Sequence, residues 1–143
     1  MRTLALDVGD KRIGVAVSDE LGIIARGLAT IDRISQKKDT DRIIEYVKEN
    51  NSEGIIIGLP LNLNGTDSKQ TEKTREFSKK LADKLRSNGM ADVKLILHDE
   101  RFTTKIAEHV LIEADISREK RSKMIDRQSA VVILQSWLNG ESS

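Results

Sequence analysis

Of four short acidic stretches, three put carboxylates where the surrounding pattern asks for something else. In "LALDVGD" Asp7 closes an apolar run, although aspartate is depleted in strands and an unpaired buried carboxylate is costly. It needs backbone amides, as in an Asx turn closing on Gly9 and Asp10, or a cation. In "HDER" Asp99 and Glu100 end a second apolar strand. The period of two sends them to opposite faces, so only one of them can share a site with Asp7. The plain alternative is a turn cap at Asp99 with a solvated Glu100 beside Arg101. In "DRQSAVVILQSWL" Asp126, Ala130, Ile133 and Trp137 fall on one helical stripe, which turns Asp126 inward. An acid near a helix N-terminus, favoured by the dipole, would explain its place along the helix but not its direction. The acids of "TDRIIEYVKE" lie opposite Ile43, Ile44 and Val47 and are expected to be solvated.

Inward carboxylates that converge repel one another unless cations neutralise them. Oxygen-only ligands select hard ions, Mg²⁺ or Mn²⁺ rather than zinc. Two such ions about 3.5–4 Å apart support phosphodiester hydrolysis. Basic residues stand beside each candidate acid: Lys11 and Arg12 after Asp7, Arg101 after Glu100, and Arg118, Lys120, Arg121, Lys123 and Arg127 around Asp126. They could hold phosphates; the competing explanation is a charged turn and a solvated helix face. His98 and His109 sit on different elements and make no metal pair. The hydroxyls of "GTDS" have no neighbouring His–acid pattern.

The elements that must position these residues follow from periodicity and punctuation. Residues 2–8 and "RIGVAVSD" predict strands joined by the "GDK" turn, and "GIIARGLATI" predicts a third, giving three antiparallel strands in sequence. Asp39 or Thr40 can cap a helix carrying Ile43, Ile44 and Val47, which Asn50 and Asn51 stop. "GIIIGLPL" is a continuous apolar run, as expected of a parallel strand buried on both faces. Phe77, Leu81 and Leu85 form one helical stripe between about Ser68 and Asn88, ended by Gly89. "DVKLILHDER" alternates as a strand. A further helix starts at Thr103 or Thr104, with Ile106, Ala107, Val110 and Leu111 inward. The charged stretch 117–128 then leads into a last helix ending near Leu138, and the tail 139–143 is expected to fray. This order predicts an α/β fold: a mixed sheet, three antiparallel strands then parallel ones, with helices on both faces. No repeat or linker divides it, so 1–143 is expected to be one domain.

At 143 residues the chain should bury roughly 68–70% of its unfolded surface. It has no cysteine, which excludes disulfides and thiolate metal sites. No apolar run approaches a membrane span and no signal region opens the chain, so a soluble, cytoplasmic protein is expected. Its 24 basic and 23 acidic residues leave a net charge of +1, so nucleic acid could be bound only through local clusters. Tyr46, Phe77, Phe102 and Trp137 are too few for a base-stacking surface.

"LDVGDKRIGVAVSD", "IIIGLPLNLNGTDS", "HDERFTT" and "DRQSAVVILQSWL", in that order, resemble the YqgF family, and the resemblance spans nearly the whole chain. It implies a ribonuclease H-like fold and a nuclease described either as a Holliday junction resolvase or as a pre-16S rRNA nuclease. It implies an acidic site at Asp7, Glu100 (with Asp99 as the alternative) and Asp126, holding Mg²⁺ or Mn²⁺. Lys11, Arg12 and Arg101 match its basic positions. The strand "GIIIGLPLN" ends without the acid that RuvC resolvases place near there, which leaves strict two-metal geometry open. Asn62, Asn64 and Gly65 then border a substrate groove. The leading expectation is maturation of the 5′ end of 16S rRNA within a ribosomal precursor, with four-way DNA as runner-up. Two further possibilities are a non-catalytic RNA- or ribosome-associated factor and a nucleotide-binding module, since "DVGDKRIGVAVSD" also resembles the phosphate hairpin of actin-like ATPases. A resolvase would be expected to dimerise and an RNA-trimming enzyme need not; the sequence leaves the oligomeric state open.

Overall fold

A computed structural model describes residues 2–100 and 118–141, with side chains described through 100 and again over 124–140. Three strands, β1 (Thr3–Val8), β2 (Arg12–Ser18) and β3 (Ala25–Asp32), form the expected antiparallel meander. Helix α1 (Gln36–Glu49) leads to β4 (Gly54–Leu59), and α2 (Lys69–Ser87) leads to β5 (Lys94–Asp99). Both later strands pair parallel, β4 against β1 and β5 against β4, so the sheet order is β3-β2-β1-β4-β5. The last helix, α3, covers Arg118–Glu141.

Alternation along the central strands decides which helix covers which face. Leu4, Leu6 and Val8 of β1, Ile13, Val15 and Val17 of β2, and Ile55 and Ile57 of β4 pack with Ile43, Val47, Phe77 and Leu81 of α1 and α2. The intervening positions, Ala5, Ala16 and Ile56, pack with Ala130, Ile133, Leu134 and Leu138 of α3. Helices therefore lie on both faces, and β1 and β4 are sealed on both sides, as the apolar run at 54–61 requires. Among the described residues no helix is long and apolar enough to cross a membrane.

Three helix boundaries differ from expectation. Helix α1 starts one turn early: Ser35, not Asp39 or Thr40, is the N-cap, its hydroxyl accepting from the Lys38 amide at 3.2 Å. Asp39 is a buried acid in the first turn, accepting from Arg33 Nε and from the Ile34 amide, both at 3.0 Å. The same Arg33 donates to the Gly9 carbonyl at 3.0 Å and lies over the Phe77 ring, 5.2 Å from its centroid. One guanidinium thus joins the β1–β2 hairpin to α1 and α2. The second difference is that the charged stretch 118–128 is itself helical and belongs to α3. The third is that α3 runs through Glu141 instead of stopping near Leu138. The helix expected after Thr103 or Thr104, with His109, lies outside the described residues.

Candidate active site

Asp7 is set at the carboxyl end of β1 with its side chain on the α3 face, in phase with Thr3 and Ala5. Gly14 of β2 is its cross-strand partner. On the other side, the β1–β4 pairing ends at Leu6 and Ile57, so the next residue on β4, Gly58, flanks Asp7. Both neighbours are glycines, and each makes room for something specific. A Cβ on Gly14 would lie 1.8 Å from the Asp126 carbonyl oxygen of α3. A Cβ on Gly58 would lie 2.8 Å from Cδ and Oε2 of Glu100 and 2.5 Å from Cδ1 of Ile133. Missing side chains on either side of Asp7 therefore let Asp126 and Glu100 approach it from two directions.

The pleat separates Asp99 from Glu100. Asp99 is paired with Leu59 at the end of β5 and shares the α1/α2 phase with Leu95 and Leu97. Glu100 continues the phase of Ile96 and His98, which contact α3, and it is buried over Gly58. Its amide donates to the Leu59 carbonyl at 3.2 Å, carrying the link to β4 one residue past the end of β5.

Asp126 is two turns inside α3, not at its N-terminus, so the dipole no longer explains it. Its Oδ2 accepts from Arg12 Nε at 2.7 Å, a charge-assisted contact in a half-buried setting. Nor is Asp7 an Asx-turn acceptor for Gly9, whose amide donates to the Arg12 carbonyl at 2.9 Å to close the hairpin. Asp10 points elsewhere and pairs with Lys73.

The electrostatics of Asp7 follow from this placement. Burial first, and the neighbouring Asp126 charge second, push its carboxyl up from the ordinary aspartate range to about 7. A cation between the two carboxylates would reverse that shift. The donor set is all oxygen, in a chain without thiols, which suits a hard ion. As the side chains stand, among the described residues no three acids or histidines are grouped closely enough to hold one ion, and Asp126 faces Arg12 instead.

Of the basic candidates, Lys11 is exposed at the hairpin turn, and Arg127 packs its stem against Gly27 on β3. Arg101 lies outside the described residues, as do the side chains of Arg118, Lys120, Arg121 and Lys123. Asn62 and Gly65 form a self-contained loop after β4. The Asn62 amide donates to the Thr66 carbonyl, its Nδ2 donates to Thr66 Oγ1, and Gly65 takes a φ of 85°. His98 reaches α3, its Nε2 3.1 Å from Ser136 Oγ. A cavity of about 440 Å³, lined by Val8, Asp10, Arg33, Gln70, Lys73 and Phe77 among others, opens on the opposite face of the sheet from the acids. The steric roles of Gly14 and Gly58 escaped sequence reasoning. For Gly14 the available signal was the alternation of large and small residues in "IGVAV"; the run "GIIIGLPL" carries no such signal for Gly58.

Comparison with known proteins agrees with this architecture. Among solved structures, the chain is similar to RuvC of T. thermophilus in complex with a Holliday junction substrate. The TM-score is 0.60 at 14% identity, covering 100% of this chain and 97% of that one. It is equally similar to the Fowlpox virus resolvase with Holliday junction DNA, with a TM-score of 0.61 at 14% identity and full coverage of both chains. These likenesses establish a RuvC-like, ribonuclease H-like fold. In sequence, a protein of Thermoanaerobacter pseudethanolicus named "Putative pre-16S rRNA nuclease" is 48% identical over 100% of this chain and 99% of its own length. A protein of the same name from Desulforamulus reducens is 45% identical over 97% of each chain. Residues 1–140 match the family described as "RuvX: Holliday junction resolvase", and the chain belongs to that RuvX/YqgF family.

Proposed function

We propose that this protein is an endonuclease dependent on Mg²⁺ or Mn²⁺ and that it processes the 5′ end of pre-16S rRNA within a ribosomal precursor. The observation that carries this reading is the pair of glycines flanking Asp7, over which Asp126 and Glu100 lie. Asp7, Glu100 and Asp126 would hold the cation, with Asp126 turning from Arg12 to do so. Such an ion supplies the Lewis acidity that activates an attacking water and offsets charge on the leaving oxygen. The chain's own residues bring the phosphodiester there. Lys11, Arg12 and Arg101 hold the flanking phosphates, and the loop carrying Asn62 and Gly65 borders the strand path at the end of β4.

The choice of RNA rests on the names of relatives that share nearly half their residues with this chain. Four-way DNA is the second reading, favoured by the fold shared with resolvases bound to junctions. The discriminating experiment incubates purified protein with precursor 16S rRNA and, separately, with a four-way junction, in Mg²⁺ and in Mn²⁺. Cleavage at the rRNA 5′ end is expected, abolished by chelation and by Asp7→Asn. Junction cleavage with intact RNA would replace the first reading by the second.

A further inference from the structure

The positive charge that faces Asp126 is the Arg12 guanidinium. Its Nε donates to Oδ2 at 2.7 Å, and among the described residues this is the salt bridge that Asp126 makes while Asp7 makes none. The Arg12 backbone is fixed, because it pairs with Asp32 at the start of β2 and its carbonyl accepts from Gly9. Its side chain is not: it is 30% exposed and can turn to solvent without disturbing the strand. Other charges near Asp7 and Asp126 are committed or differently placed. Glu100 is buried over Gly58, and Arg127 lies along Gly27.

A guanidinium binds a carboxylate and a phosphate with the same planar fork, so exchanging one anion for the other costs little. A divalent ion arriving while Arg12 still faces Asp126 would instead meet like charge and a ligand already in use. We propose that Arg12 is a positioning residue: it holds Asp126 in the nucleic-acid-free protein and passes to a backbone phosphate on docking, releasing Asp126 to bind the cation with Asp7. This rests on the cation reading above and adds an order to it. Metal and nucleic acid each bind more tightly in the presence of the other, and by linkage the two factors are equal.

The test measures binding, not turnover. Mn²⁺ is titrated into the full chain and followed by the electron paramagnetic resonance signal of the free ion. Affinity for a short duplex from the rRNA 5′ leader is followed by fluorescence anisotropy, with and without Mn²⁺. Without RNA, Arg12→Gln is expected to bind Mn²⁺ about tenfold more tightly than the parent, within the ordinary range of coupling between sites. Arg12→Lys should fall between them. In the parent, Mn²⁺ should tighten RNA binding by a similar factor, and in Arg12→Gln this gain should largely vanish. In an Asp126→Asn background, Arg12→Gln should no longer change Mn²⁺ affinity, because contact and ligand are removed together. Unchanged or weaker Mn²⁺ binding by Arg12→Gln, with Asp7→Asn still losing the ion, overturns the role of Arg12 and leaves the acidic site standing. Mn²⁺ binding indifferent to Asp7→Asn overturns the site, and this inference with it.

Discussion

The two faces of one sheet are built to different rules. Toward α1 and α2, β1 and β2 present leucine, isoleucine and valine at every inward position, and the contacts are apolar throughout. Toward α3, the same strands present Ala5, Asp7, Gly14 and Ala16. Small side chains bring a helix close to a sheet, and close approach lets carboxylates on different elements meet. The first face supplies burial, worth about 25 cal/mol per Å² of apolar surface. The second gives up some of that burial for proximity. It follows that damage to either face should be separable, one lowering stability and the other activity.

The largest expected effect belongs to Asp7→Asn. The change removes charge and little volume, so the fold should persist while cleavage falls more than about 100-fold, as for loss of a main electrostatic group in other active sites. Cleavage at the parent rate would show that the acids on the α3 face are not the site. Gly58→Ala and Leu6→Ala sharpen the contrast. The first forces Glu100 and Ile133 away from β4, at about 1–3 kcal/mol of overpacking, and should lower cleavage far more than its stability loss explains. The second opens a cavity against α1 and α2, at about 2–5 kcal/mol, yet should leave the rate per folded molecule near that of the parent. Denaturant melts paired with single-turnover cleavage separate the two.

A pH test follows from Asp7. Its folded pKa, about 7, lies above the value of 3.8 for a free aspartate, so the folded protein holds a proton that the unfolded chain releases. Without divalent cations, stability should therefore decline as pH rises from about 4 to about 7 and level off above. Asp7→Asn should flatten that decline and be more stable than the parent at pH 8 but not at pH 4, as read by melting temperature. Mn²⁺ at pH 8 should stabilise the parent and not the variant. The smallest effect is assigned to His98→Ala. Its partner is Ser136, so about 0.5–1.5 kcal/mol of stability is expected to go while cleavage stays unchanged.

Much of this fold is legible in the chain because the signals are local. The hairpin turn, the parallel character of "GIIIGLPL" and the stripe of Phe77, Leu81 and Leu85 each depend on neighbours within a few residues. Asp39 misleads because its partner, Arg33, reaches it from outside the helix and turns an apparent cap into a buried ion pair. The start of α3 misleads because "SREKRSKMIDRQ" shows no apolar periodicity, and the helix is visible only once its later turns are packed. The acids could be singled out one by one as misplaced. How near they come to one another depends on β1 lying between β2 and β4, and on two glycines whose absent side chains matter only when α3 and Glu100 are overhead.

Arg33 carries a consequence for encounter with a polymer. By gripping the Gly9 carbonyl, the Asp39 carboxylate and the Phe77 ring together, it fastens the turn that follows Asp7 to the scaffold behind it. A strand arriving at that corner meets a surface already shaped, and spends little of its binding free energy on ordering the loop. The same clasp means that wear on the far side of the sheet, at Arg33 or Asp39, would be felt at the turn beside Asp7.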